Sequence, residues 1–110
     1  MSEINEPKKG NANNDISVAT DAIVSKILLK STSGNISLFA LDKGQQISEH
    51  TAPFDVLIMT VEGEVEFSVN GIPYQLKEMD YLYVPANAPH ALFATKPAKV
   101  IISMYKEIVQ

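Results

Sequence analysis

GQQISEHTAPFDVLIMTVEG, residues 44–63, and MDYLYVPANAPHALFA, residues 79–94, carry between them both histidines of the chain, His50 and His90. In the first stretch residues 46–52 alternate weakly, and Pro53, which has no N–H to give a ladder, ends them. Residues 55–61 (DVLIMTV) are apolar on both parities, so a strand there needs cover on both faces. In the second stretch residues 81–84 (YLYV) are rich in strand formers. Residues 85–89 (PANAP) form a constrained turn that delivers His90. Between the two stretches Val65, Phe67 and Val69 alternate with Glu66 and Ser68. Asn70-Gly71 follows, a strong two-residue hairpin signal, and residues 72–76 return.

Working outward, residues 36–41 (ISLFAL) are a short apolar run with turn residues on both sides, which predicts a buried strand. Residues 23–29 fit a short helix by apolar spacing and a strand by β-branched content. The turn chemistry of residues 31–35 joins them to the next run and assigns both to a hairpin. Residues 90–94 and 100–105 complete the set, linked by residues 95–98. About nine short strands spaced by turns, with no convincing amphipathic helix, predict an all-β sandwich or barrel. Residues 1–15 are polar and read as a disordered N-terminal tail, leaving residues 16–110 as the domain.

A chain of 110 residues is one domain. It has no cysteine, which excludes disulfides and thiolate chemistry and leaves imidazole, carboxylate and neutral oxygen as metal ligands. Its nine positive charges are all lysine and the net charge is -4, so a basic nucleic-acid footprint is absent. Without arginine the bidentate clamp for phosphate or carboxylate is missing too, which favours a neutral or apolar ligand over an anionic one. The first fifteen residues do not resemble a signal peptide, and no apolar run approaches the roughly 20 residues of a membrane helix. The expected setting is cytoplasmic, away from membranes.

At His50 and His90 the chain resembles the cupins, small jelly-roll barrels with two motifs, G-x5-H-x-H-x(3,4)-E-x6-G and G-x5-P-x-G-x2-H-x3-N. Gly44, His50 and Gly63 match the first, and Pro85 and His90 the second. The resemblance covers about residues 16–105 and implies a cupin-type double-stranded β-helix. In the family the two histidines and glutamate of the first motif and the histidine of the second hold one divalent metal: iron, manganese, zinc, nickel or copper. Here Ala52 stands at the second histidine and Val56 at the glutamate. Met79, Asn87 and Ala94 replace the second motif's two glycines and its asparagine. Of these, Asn87 is mild, because Asn tolerates left-handed backbone. The resemblance therefore implies a degenerate site in which His50 and His90 hold a metal weakly or line a metal-free pocket. Asp55 and Glu49 have the wrong strand parity to stand in, unless a bulge rotates them.

Strand parity also predicts the pocket lining. If His50 faces inward, so do Ser48 and Ala52; Val56 brings Ile58 and Thr60, and His90 brings Leu92 and Ala94. The expected site is a mostly apolar cup with two imidazoles, suited to a small neutral or apolar molecule. Two readings stand side by side. One is a stand-alone binding module, similar to the ligand-binding cupin domains of bacterial regulators. The other is an enzyme of dioxygenase, isomerase or lyase type, with an incomplete two-histidine metal site or with the imidazoles as metal-free acid and base. No third polar side chain is evident to orient either ring. The opposite parity, Leu57, Met59 and Val61, is apolar as well. Small cupins of this kind often pair through such surfaces, which implies a homodimer.

Overall fold

Asn70 and Gly71 both take left-handed backbone, with φ of 53° and 79°, the conformation a two-residue hairpin requires. The strands they join pair in register from Val65 with Leu76 to Val69 with Ile72. The computed structural model describes residues 6–106. Over these the chain forms β1 (Ile23–Ser31), β2 (Gly34–Leu41), β3 (Gln46–His50), β4 (Asp55–Glu62), β5 (Val65–Val69), β6 (Ile72–Leu76), β7 (Tyr81–Val84), β8 (His90–Ala94) and β9 (Ala98–Tyr105). No helix occurs among the described residues. Residues 1–5 of the expected tail and residues 107–110 lie outside the described part.

The strands form two antiparallel sheets, one ordered β1-β2-β9-β4-β7 and the other β3-β8-β5-β6. This is the expected jelly roll. β4 lies inside the larger sheet, between β9 and β7, but only one of its two apolar faces is fully covered within this chain, so the expected cover on both faces is not met. Its Val56, Ile58 and Thr60 face the space between the sheets and are buried, whereas Leu57 on the outer face is 42% exposed. β5 alternates because only its inner face meets the core, through Val65, Phe67 and Val69.

Two apolar clusters result. The main one fills the space between the sheets with Leu41, Ile58, Val65, Val84, Ala94 and Val100 among its members. The smaller one joins Ile16 to Leu38 and Ala40 of β2, with Ala12, Val18, Val24 and Ile101 packed around them. Because Leu38 and Ala40 alternate with the inward Phe39 and Leu41, this second cluster lies on the outer face of the larger sheet. The chain ahead of β1 thus lies across that face. The Lys99 ammonium donates to Asn13 Oδ1 at 2.8 Å, and Asn11 Oδ1 accepts from the N–H groups of Asn13 and Asn14. The polar composition of this stretch hides its three apolar anchors, Ala12, Ile16 and Val18.

Asn87, at the position of a motif glycine, has φ of 68°, as its tolerance of left-handed backbone predicts, and Met79 at the other has φ of 71°. Gly63 cannot be replaced so easily. A Cβ there would meet Pro97 O at 2.0 Å, so the turn after β4 needs glycine for close approach.

Candidate functional site

Register brings the two histidines together. In the β3–β8 pair Ile47 faces Leu92 and His50 faces His90, so Ser48 and Glu49 together oppose Ala91 alone. This is a β-bulge, and it reverses strand parity along β3. Ser48 is therefore not in the pocket; it is exposed and lies with Glu49 along a groove on the outer face of the smaller sheet. Its inward place is taken by Ile47.

His50 and His90 meet edge to face, with ring centroids 4.3 Å apart at 66°. Phe67 stacks on His90 at 5.6 Å and 15°. The two rings occupy different depths: His90 is 7% exposed, while His50 is exposed at the entrance. Each is oriented by the backbone carbonyl two residues before it, in β3 for His50 and in the loop ahead of β8 for His90. Nδ1 of His50 lies 2.9 Å from Ser48 O, and Nδ1 of His90 lies 2.9 Å from Ala88 O. A carbonyl can only accept, so each Nδ1 carries the proton and donates it. In the neutral ring this leaves a lone pair on each Nε2. The orienting groups are thus backbone carbonyls, which a search among side chains does not reveal.

Around the rings lies a cavity of about 320 Å³. Ala52, Val56 and Leu92 line it, as parity predicts. The rest of the wall is not among the residues that parity predicts: Ser37 and Phe39 from β2, Ile47, Phe67, and Ile102 and Met104 from β9. Ile58, Thr60 and Ala94 share the inward parity but do not line the cavity. Each is fully buried, with the Thr60 hydroxyl donating to Leu76 O at 3.3 Å. They belong to the packing beneath the cup.

The four-ligand metal site implied by the motifs does not fit these residues. His50 and His90 are its only donors on the cavity wall, with hydrocarbon at Ala52 and Val56. Among the described residues no three His, Cys, Asp or Glu side chains are grouped to hold an ion. Catalytic metal sites generally need three protein ligands and an open position. Asp55 is engaged elsewhere, its Oδ1 accepting from the Tyr83 hydroxyl at 3.1 Å and the Ala86 N–H at 3.0 Å. The hydrogen bond to Asp55, then burial, then the carboxylate's charge raise the Tyr83 pKa above the ordinary tyrosine value. Asn87 N–H donates to Ala52 O at 2.8 Å and Asn70 N–H to Pro89 O at 2.9 Å, so the loop before His90 is stitched to its neighbours on both sides.

A small jelly-roll barrel with an apolar cup and two motif histidines defines a class, and comparison with known proteins agrees. The family model described as Cupin domain matches residues 37–104, and the chain belongs to that family. Solved structures are similar over most of its length. A conserved protein of unknown function from Streptococcus pyogenes is 26% identical, with a TM-score of 0.88, covering 98% of this chain and 95% of that one. A cupin superfamily protein from Desulfitobacterium hafniense is 25% identical, with a TM-score of 0.84, covering 94% of each chain. A Cupin 2 conserved barrel domain protein from Leptotrichia buccalis is 28% identical, with a TM-score of 0.83, covering 86% of this chain and 46% of that one. No curated protein matches.

Proposed function

We propose that this chain is a small cupin that binds a small neutral or apolar molecule inside the barrel, with His50 and His90 lining the pocket. The observation that carries this reading is the cavity of about 320 Å³, walled by aliphatic and aromatic side chains and offering only Ser37, His50 and His90 as polar groups. Such a cup has the size and make-up of small-molecule sites. The test is an NMR titration with a panel of small aromatic and aliphatic compounds. Shifts confined to Phe39, Phe67, Ile102 and Met104 are expected, and a panel that moves none of them overturns the reading. A divalent ion held by two imidazoles and water would exchange readily. Elemental analysis of tag-free protein is accordingly expected to find well below one metal per chain.

The second element of the reading is a homodimer. Cross-strand register aligns Tyr83, Leu57, Ser103, Ile36 and Leu29 in one row across the outer face of the larger sheet. Leu29, Leu57 and Tyr83 are 58%, 42% and 57% exposed. A row with exposed apolar side chains on both sides of the small Ser103 supports an association surface. Light scattering is expected to give twice the chain mass, falling to one in Leu57→Lys; a monodisperse monomer in the unaltered protein rejects the dimer.

A further inference from the structure

We infer that the pocket selects a neutral molecule with a hydrogen-bond donor at one end and an apolar, ring-sized body at the other, a phenol being the simplest case. The inference rests on the binding reading above and concerns which chemistry the site reads. With Nδ1 of both rings committed to Ser48 O and Ala88 O, the neutral imidazoles turn acceptors, not donors, towards a guest. His90 lines the cavity, and the one hydrogen bond its ring makes among the described residues is through Nδ1, which leaves Nε2 without a protein partner. Among the described residues Asn35 Oδ1 is the sole side-chain nitrogen or oxygen both sealed from solvent and without a partner. His90 itself lines the cavity and is 7% exposed. A guest without a donor leaves that nitrogen desolvated and unpaired, the costly side of hydrogen bonding.

Charge selects in the same direction. No lysine and no carboxylate lines the cavity, so an ion entering it would lose water without meeting a counter-charge. A carboxylate guest would also face the Nε2 lone pairs. The body of the guest is set by Phe39 and Phe67 and by the aliphatic wall of Ile102 and Met104. An engineered protein cavity of about 150 Å³ holds benzene, so a cup of about 320 Å³ has room for one substituted ring. The stack of Phe67 on His90 gives that ring a flat surface beside the acceptor.

The experiment is calorimetric titration of the full chain with 4-ethylphenol, 4-ethylanisole, ethylbenzene and 4-ethylbenzoate at neutral pH. Nitrogen-15 NMR of the imidazoles alongside reports the tautomers without any substitution. The expected result is Nδ1–H on both rings and 4-ethylphenol binding about tenfold or more tighter than 4-ethylanisole. That preference should shrink towards unity in His90→Phe and, because His50 is exposed and tolerant of change, in His50→Phe as an independent check. Equal binding of the phenol, the ether and the hydrocarbon overturns the donor requirement and leaves the binding reading intact. Tightest binding of 4-ethylbenzoate, or Nε2–H tautomers in the free protein, also overturns it. Binding of none of the four overturns both.

Discussion

The same strands build the open mouth of the barrel and its packed end, with opposite results. Along β4 the inward residues run Val56, Ile58, Thr60; along β8 they run His90, Leu92, Ala94; along β9, Met104, Ile102, Val100. Parity is identical down each series. At the mouth the leading residues face a cavity, whereas Leu41, Val65, Ala94, Ala98 and Val100 at the far end are 0–1% exposed and fill the space between the sheets. Alternation therefore decides which face a residue takes, and depth along the barrel decides whether that face meets a ligand or a neighbour.

The comparison sharpens most by restoring what the mouth lacks. Ala52→His with Val56→Glu returns four ligands to the cavity wall. It should convert a chain with little metal into one carrying about one zinc per barrel, read by elemental analysis, since three or four ligands make a stable site. If the double variant stays metal-free, the mouth is not shaped around an ion position at all.

Truncation separates the ends next. Leu41→Ala at the packed end should cost about 3 kcal/mol in urea unfolding, within the range for buried leucine. Val56→Ala, beside an existing cavity, should cost about 1 kcal/mol, because less packing is lost. Equal losses would mean that the mouth is as tightly packed as the base. Enlargement should run the other way. Ala94→Leu must displace packed neighbours at a cost of about 2 kcal/mol, while Ala52→Leu should stay within about 1 kcal/mol and abolish ligand binding.

The smallest effect lies at the rim. Tyr83 should titrate above the other tyrosines by ultraviolet absorbance, and Asp55→Asn should bring it back towards them, because the hydrogen bond to Asp55 is the main cause of its raised pKa. The sign follows from linkage. A pKa raised in the folded state favours folding while the hydroxyl is protonated, so this contribution is complete below the ordinary tyrosine pKa and fades as pH climbs through that of Tyr83. An unchanged titration in Asp55→Asn would show that the carboxylate does not brace the mouth.

Much of this was legible in the sequence. Turn residues bounded nearly every strand, and motif spacing put His50 and His90 in one pocket, where the register pairs them. Parity worked for Ala52, Val56 and Leu92 and failed at Ser48, because a bulge adds a residue without leaving a composition signal. It also placed Ile58, Thr60 and Ala94 on the correct face without revealing their depth. The wall from β2 carries no parity signal for another reason: in ISLFAL apolar residues fall on both parities and the one polar residue, Ser37, lies on the inward one, so alternation does not separate Ser37 and Phe39 from the outward Leu38 as pocket wall. The acceptors that fix both imidazoles are main-chain carbonyls, which every sequence possesses.

One feature of the rim bears on kinetics. The loop that delivers His90 is tied through Ala86 to Asp55 and through Asn87 to Ala52, and Pro89 O receives Asn70 N–H. With three such ties the entrance acts as a fixed gauge instead of a door. Admission should depend on the girth of the guest, nearly uniform below a limiting width and abruptly lost above it. How long a guest stays should then follow from the contacts it breaks on leaving, with no opening step shared by all guests to set a common pace.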